Sequence, residues 1–148
     1  MRRVLVLSVL AVLAACGGDG GDSGGPSEPA FPAVAGIYNV VGSFDGLSSA
    51  EGRLTGTLTL TQASRDRGDL GGTISLNARV GPDVFSNSFT LEQANVGTTG
   101  QLAFVIRNPS TSVQWTFTGQ HSGNAINGGR HTITDGSTSL SGSWSATK

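Results

Sequence analysis

The chain has 148 residues, a formal net charge of -1 and only 13% charged residues, set against 23 glycines. That length suits one domain, and a near-neutral balance without a Lys/Arg cluster lacks the electrostatic footprint of a nucleic-acid binder. Abundant Gly, Ser and Thr favour short strands and tight turns over helices.

The first element in chain order is MRRVLVLSVLAVLAAC. Arg2 and Arg3 are followed by an apolar stretch from Val4 to about Ala15. A basic start and a short apolar run make a secretory signal, too short for a comfortable membrane span. The residues around Arg2-Arg3 do not complete a twin-arginine pattern. The run ends in Leu13-Ala14-Ala15-Cys16, which resembles the bacterial lipobox. That resemblance implies cleavage after residue 15 and a diacylglyceryl group on Cys16, which becomes the mature N-terminus. The competing reading is an ordinary signal with a chance cysteine at its end. Cys16 is the only Cys in the chain, so no internal disulfide forms. Several acyl chains on one residue anchor stably, at about 0.8 kcal/mol per buried methylene.

Residues 16–34 hold the lipidated Cys and a Gly/Ser/Pro/acidic tether, GGDGGDSGGPSEPAFP over 17–32, which buries too little to order itself. Asp19 and Asp22 do not have calcium-loop spacing. Gly17, where an Asp would favour inner-membrane retention, points to the outer membrane. The expected localisation is therefore the cell envelope, with the chain held to the membrane by the lipid on Cys16.

Residues 35–148 form the folded domain. Alternation predicts strands at 36–44, 53–62, 70–80, 84–92, 100–107, 112–119, 124–134 and 138–147. In RLTGTLTLTQ (53–62), Leu54, Leu58 and Leu60 share one parity and the threonines the other. The same parity turns Ile74, Leu76, Ala78, Val80, Phe85, Phe89, Leu91, Leu102, Phe104, Ile106, Val113, Trp115, Phe117, Leu140 and Trp144 inward. Residues 63–69 and 93–99 read as loops. Ala103 and Val105 add apolar residues to the outer face of 100–107, which implies either a covered patch or scattered surface apolars. Hairpin-linked strands with one dry face each need a common interior. The expected fold is all-β: an eight-stranded antiparallel up-and-down barrel, with a two-sheet sandwich as the alternative. Leu54-Thr55-Gly56-Thr57-Leu58, Leu70-Gly71-Gly72-Thr73-Ile74 and Leu140-Ser141-Gly142-Ser143-Trp144 repeat L-x-G-x-(large apolar). Their glycines read as bends.

Gly36-Ile37-Tyr38 resembles the G-x-W that opens lipocalin barrels, with Tyr in place of Trp, and the closing Trp144-Ser145-Ala146-Thr147-Lys148 is similar to the last strand of avidins. The resemblance implies a small barrel that binds small molecules. Biotin binding is not carried over, because avidins use several tryptophans and this chain has 2.

Little in the folded region suggests catalysis. His121 and His131 lack metal-ligand spacing, no G-x-S-x-G elbow or phosphate loop appears, and the acids fall in turns where turn chemistry accounts for them. No catalytic residue, metal site or cofactor is expected, and the chain is read as a non-enzyme. If the interior is hollow, its pocket residues are Phe89, Phe104, Trp115, Phe117 and Trp144, with Tyr38 near one mouth and Asn87 and His131 as polar features. Gly128-Gly129 would reset the register before His131. The inward aromatics, with many Leu and Ile, suffice to fill much of a small barrel, which favours a structural or protein-interaction module with an envelope protein as partner. The alternative is a carrier of a small apolar ligand, which needs an interior pocket above about 300 Å³.

Overall fold

The computed structural model describes residues 30–148. The expected signal peptide, Cys16 and most of the tether lie outside the described residues. Nine strands follow in order: β1 Gly36–Phe44, β2 Gly52–Thr61, β3 Gly71–Val80, β4 Asp83–Thr90, β5 Glu92–Val96, β6 Gln101–Arg107, β7 Gln114–Ser122, β8 Ala125–Asp135 and β9 Thr138–Thr147. Every ladder is antiparallel. All belong to one sheet, in the order β4-β3-β2-β1-β9-β8-β7-β6-β5. The domain is thus all-β and up-and-down, a single sheet curled into an open half-barrel rather than two packed sheets.

Alternation accounts for the individual strands. Along β1, Tyr38, Val40 and Phe44 are buried while Ile37 and Val41 face solvent. Along β2, Leu54, Leu58 and Leu60 point into the core. Leu58 sits opposite Ile74, and Leu76 sits opposite Gly56. A Cβ on Gly56 would meet Ser75 O and lie 3.1 Å from Leu76 Cδ2, so this glycine serves a close approach to β3. Three hairpins close with two-residue loops whose first member is a glycine at positive φ: Gly81 (60°), Gly123 (60°) and Gly136 (57°). Such turns match the twist of the flanking strands. The reset at Gly128-Gly129 is present. One extra residue in β8 shifts its register against both β7 and β9, with Gly128 at φ 58°.

The count of strands differs from the sequence pattern at one place. The stretch 84–92, expected as one strand, ends at Thr90 in β4, and Glu92 joins residues 93–96, expected as loop, to form β5. Gln93 has φ 50°, the one non-glycine residue at positive φ among those described. This kink breaks strict alternation, so the buried residues are Leu91, Ala94 and Val96. It also changes the partner: β4 pairs with β3, whereas β5 pairs with β6. Only two apolar side chains, Ala94 and Val96, mark β5, too few to carry a period.

The two ends of the sheet order therefore meet along a seam. At one end of the molecule the seam is stitched by three backbone hydrogen bonds, Leu70 N to Ala94 O (2.9 Å), Val96 N to Gly68 O (2.8 Å) and Leu91 N to Gly72 O (3.0 Å). Asp69 also bridges to Asn95. Toward the other end, where the β3–β4 and β8–β9 hairpins lie, β4 has no ladder on its free side. Of the two readings of β6, a covered patch or scattered surface apolars, the structure favours the first. Val105 is 9% exposed and Ala103 half-buried, so the outer side of this strand is partly covered.

Candidate functional site: a cleft in the parted seam

The interior divides into a packed part and a hollow part. In the packed part Phe104 and Phe117 stack at 4.8 Å between centroids, and Trp144 meets both edge-on at 5.9 and 5.4 Å. The Trp144 indole N–H donates to Thr118 O at 2.8 Å and leans toward Arg130 O at 3.2 Å. Gly129 lies under this ring, where a Cβ would overlap the indole. Tyr38 is fully buried, not at a mouth. Its hydroxyl donates to Val34 O at 2.6 Å, and Lys148 Nζ lies 5.1 Å from the ring centroid. Burial raises the Tyr38 pKa. Phe104, Phe117, Trp144 and Tyr38 are thus core residues rather than pocket walls.

His131 is also core. It is 1% exposed, edge-on to Phe44 at 4.8 Å and stacked on Trp115 at 6.2 Å. Its Nε2 lies 3.0 Å from Ser43 O, and a carbonyl only accepts, so Nε2 carries the proton. Nδ1 is buried without a partner. Desolvation holds the His131 pKa below the ordinary value, opposed in part by the bond to Ser43. His121 is 7% exposed, with Nε2 unpartnered, and burial followed by the charge of Lys148 lowers its pKa. Both rings are therefore neutral at pH 7, and neither lines the cleft described next. Gly142 makes room for His131, since a Cβ there would overlap the imidazole and Ser43 O.

The hollow part is a cleft of about 610 Å³ between β3–β4 and β6–β7, open at the parted seam. Leu76, Phe85, Phe89, Ile106, Trp115 and Leu140 supply its apolar surface. Of the sequence-expected pocket residues, Trp115, Phe89 and Asn87 lie here together. Phe85 is 53% exposed, because its inward parity on β4 faces the opening and not another strand. Asn87 is exposed for the same reason, and Phe89 is half-buried. The polar rim comprises Asp83, Ser86, Asn87, Asn108, Thr111 and Asp135, with no Lys, Arg or His. A second depression of about 580 Å³ shares Phe89, Asn108, Thr111 and Val113 with the cleft, so the gap also opens sideways.

Sequence reasoning missed Phe85, Ile106 and Leu140 as pocket walls, although parity had put each on the inner face. Parity assigns a face; it does not say at which end of a strand the opposite wall is lacking. Chemically, the cleft offers an apolar surface with a few hydrogen-bonding groups at its mouth, the makeup of a small-molecule site. Among the described residues no cluster of three or more His, Cys, Asp or Glu is arranged to hold a metal. No family model, curated protein or solved structure matches the chain.

Proposed function

We propose that the chain is a lipid-anchored protein of the bacterial envelope and a non-catalytic binding module that holds a small apolar ligand in its cleft. The observation that carries this reading is the cleft volume of about 610 Å³. It exceeds the roughly 300 Å³ lower bound for ligand pockets and falls within their usual range. Its apolar lining favours an occupant such as an acyl chain. The anchor rests on the lipobox resemblance at Cys16 and the tether that follows, and with Gly17 it favours the outer membrane. In this reading β4 and β5 are two halves of one stave, and the fold is an eight-stave barrel with a gap. The three stitching hydrogen bonds at residues 68–72 and 91–96 support that.

Native mass spectrometry of the protein taken from its own membrane tests the carrier role. A co-purifying apolar molecule is expected, and its consistent absence would count against carriage. A Cys16→Ser variant is expected in the soluble fraction; retention in the membrane would overturn the anchor.

A second reading, a protein-interaction module, is favoured by β4 itself. None of its eight residues is buried and one side of its backbone is unpaired. An edge without Lys or Pro to blunt it accepts a partner strand. A Ser88→Pro variant, at a residue whose N–H donates to Asn87 Oδ1 and which does not line the cleft, would block such pairing while leaving binding of an apolar probe in place.

A further inference from the structure

Outside the cleft, on the other face of the same rim, two arginines stand side by side. Arg53 on β2 and Arg79 on β3 are directly opposed in the ladder, and both are exposed. Like charges placed so are unfavourable. Among the described residues neither takes part in an ion pair; the pairs present are Arg107 with Glu92 and Arg130 with Asp45. The acid nearest Arg53 in sequence, Glu51, accepts a hydrogen bond from Ser48 Oγ at 2.7 Å, and the acid nearest Arg79, Asp83, lines the cleft. The arginines flank a depression of about 380 Å³ that also includes Val84 and Ala78. Those two residues line the apolar cleft as well. Val84, 64% exposed, stands opposite Arg79 in the β3–β4 ladder, next to the open edge. One short strand thus separates a dry cleft from a pair of uncompensated cations.

We infer that the cleft takes an amphiphile: an acyl chain inside the cleft, its anionic headgroup, a carboxylate or phosphate, outside the rim on Arg53 and Arg79. The inference rests on the apolar-ligand reading above and specifies the chemistry of the ligand's other end. Charge decides the direction. Asp83 and Asp135 rim the cleft on its inner side, so an anion held within the mouth is repelled there. On the outer side two guanidiniums offer the forked donors that carboxylate and phosphate accept. The opposite polarity, a cationic headgroup held by Asp83 and Asp135 within the mouth, is the competing arrangement, and the trimethylammonium probe below tests it.

The test compares four probes of equal chain length on the full chain, below their micelle concentrations: laurate, lauroyl lysophosphatidate, neutral monolaurin and lauryl trimethylammonium. Laurate or the lysophosphatidate, or both, should bind about tenfold more tightly than monolaurin, the size of one charge-assisted hydrogen bond. Which of the two leads identifies carboxylate or phosphate as the natural head. In an Arg53→Gln/Arg79→Gln double variant that advantage should vanish while monolaurin binding is unchanged. Equal binding of anionic and neutral probes, an advantage that survives the double variant, or preference for the trimethylammonium probe overturns the headgroup assignment and leaves the cleft reading intact. Failure of all four to bind overturns the cleft reading, and this inference with it.

Discussion

The two ends of the seam are built from the same chemistry and reach opposite outcomes. At the stitched end, residues 68–72 bond to residues 91–96, and Leu91, Ala94 and Val96 are buried. At the parted end, Phe85 of β4 has the same inward parity as Phe89 but remains 53% exposed. Burial of an apolar side chain therefore depends less on its own alternation than on whether a second wall stands opposite. A sheet that closes at one end and parts at the other combines a packed core with an apolar surface open to solvent within one domain. The packed part can carry the fold because its aromatics interlock, Trp144 against Phe104 and Phe117, without help from the cleft.

The sharpest way to break this comparison is to truncate one aromatic on each side. Trp144→Ala removes a 3% exposed ring together with its hydrogen bond to Thr118 O. It should cost about 3–5 kcal/mol of unfolding free energy, measured by urea denaturation. Loss below about 1 kcal/mol would mean that the packed part is not the source of stability.

Acid should act on the packed part next. His131 and His121 both have folded-state pKa values lowered, first of all by burial. The unfolded chain then binds more protons than the folded one below the ordinary histidine pKa of about 6.5. Stability is fully present above that pH and falls as pH drops through it toward the lowered folded values. A His131→Gln/His121→Gln variant should show a flatter melting temperature between pH 7 and 5. A profile as steep as that of the wild type would place the acid sensitivity elsewhere.

The smallest effect on stability is expected at Phe85. Its truncation to Ala should lower unfolding free energy by only about 1 kcal/mol, since half of the residue is already in water. It should nevertheless weaken binding of an acyl probe by removing a wall at the mouth. A large stability loss would show that the parted end contributes to the core.

The sequence made most of the architecture legible because most strands have a clean period. The bounds of β1 and β9 match the alternating stretches 36–44 and 138–147, and the Gly128 bulge follows from a Gly pair inside an alternating run. The kink at Gln93 was not legible: a single non-glycine residue at positive φ leaves no mark in composition. With it come the ninth strand and the change of partner from β3 to β6. The site was legible in part. Trp115, Phe89 and Asn87 were expected around a pocket and line the cleft, but nothing in a parity pattern separates them from Phe104, Phe117, Trp144 and His131, which fill the core. The count of inward aromatics pointed to a filled interior, and it holds only for the stitched part.

The two tryptophans allow a direct test of the central claim, that the seam cleft is the binding site. Trp115 lines the cleft and Trp144 does not. Titration with a brominated acyl chain should quench the fluorescence of the wild type, and a Trp115→Phe variant, which retains only Trp144, should lose that quenching while still binding the probe. Absence of quenching in the wild type, or equal quenching in Trp115→Phe, would contradict the account.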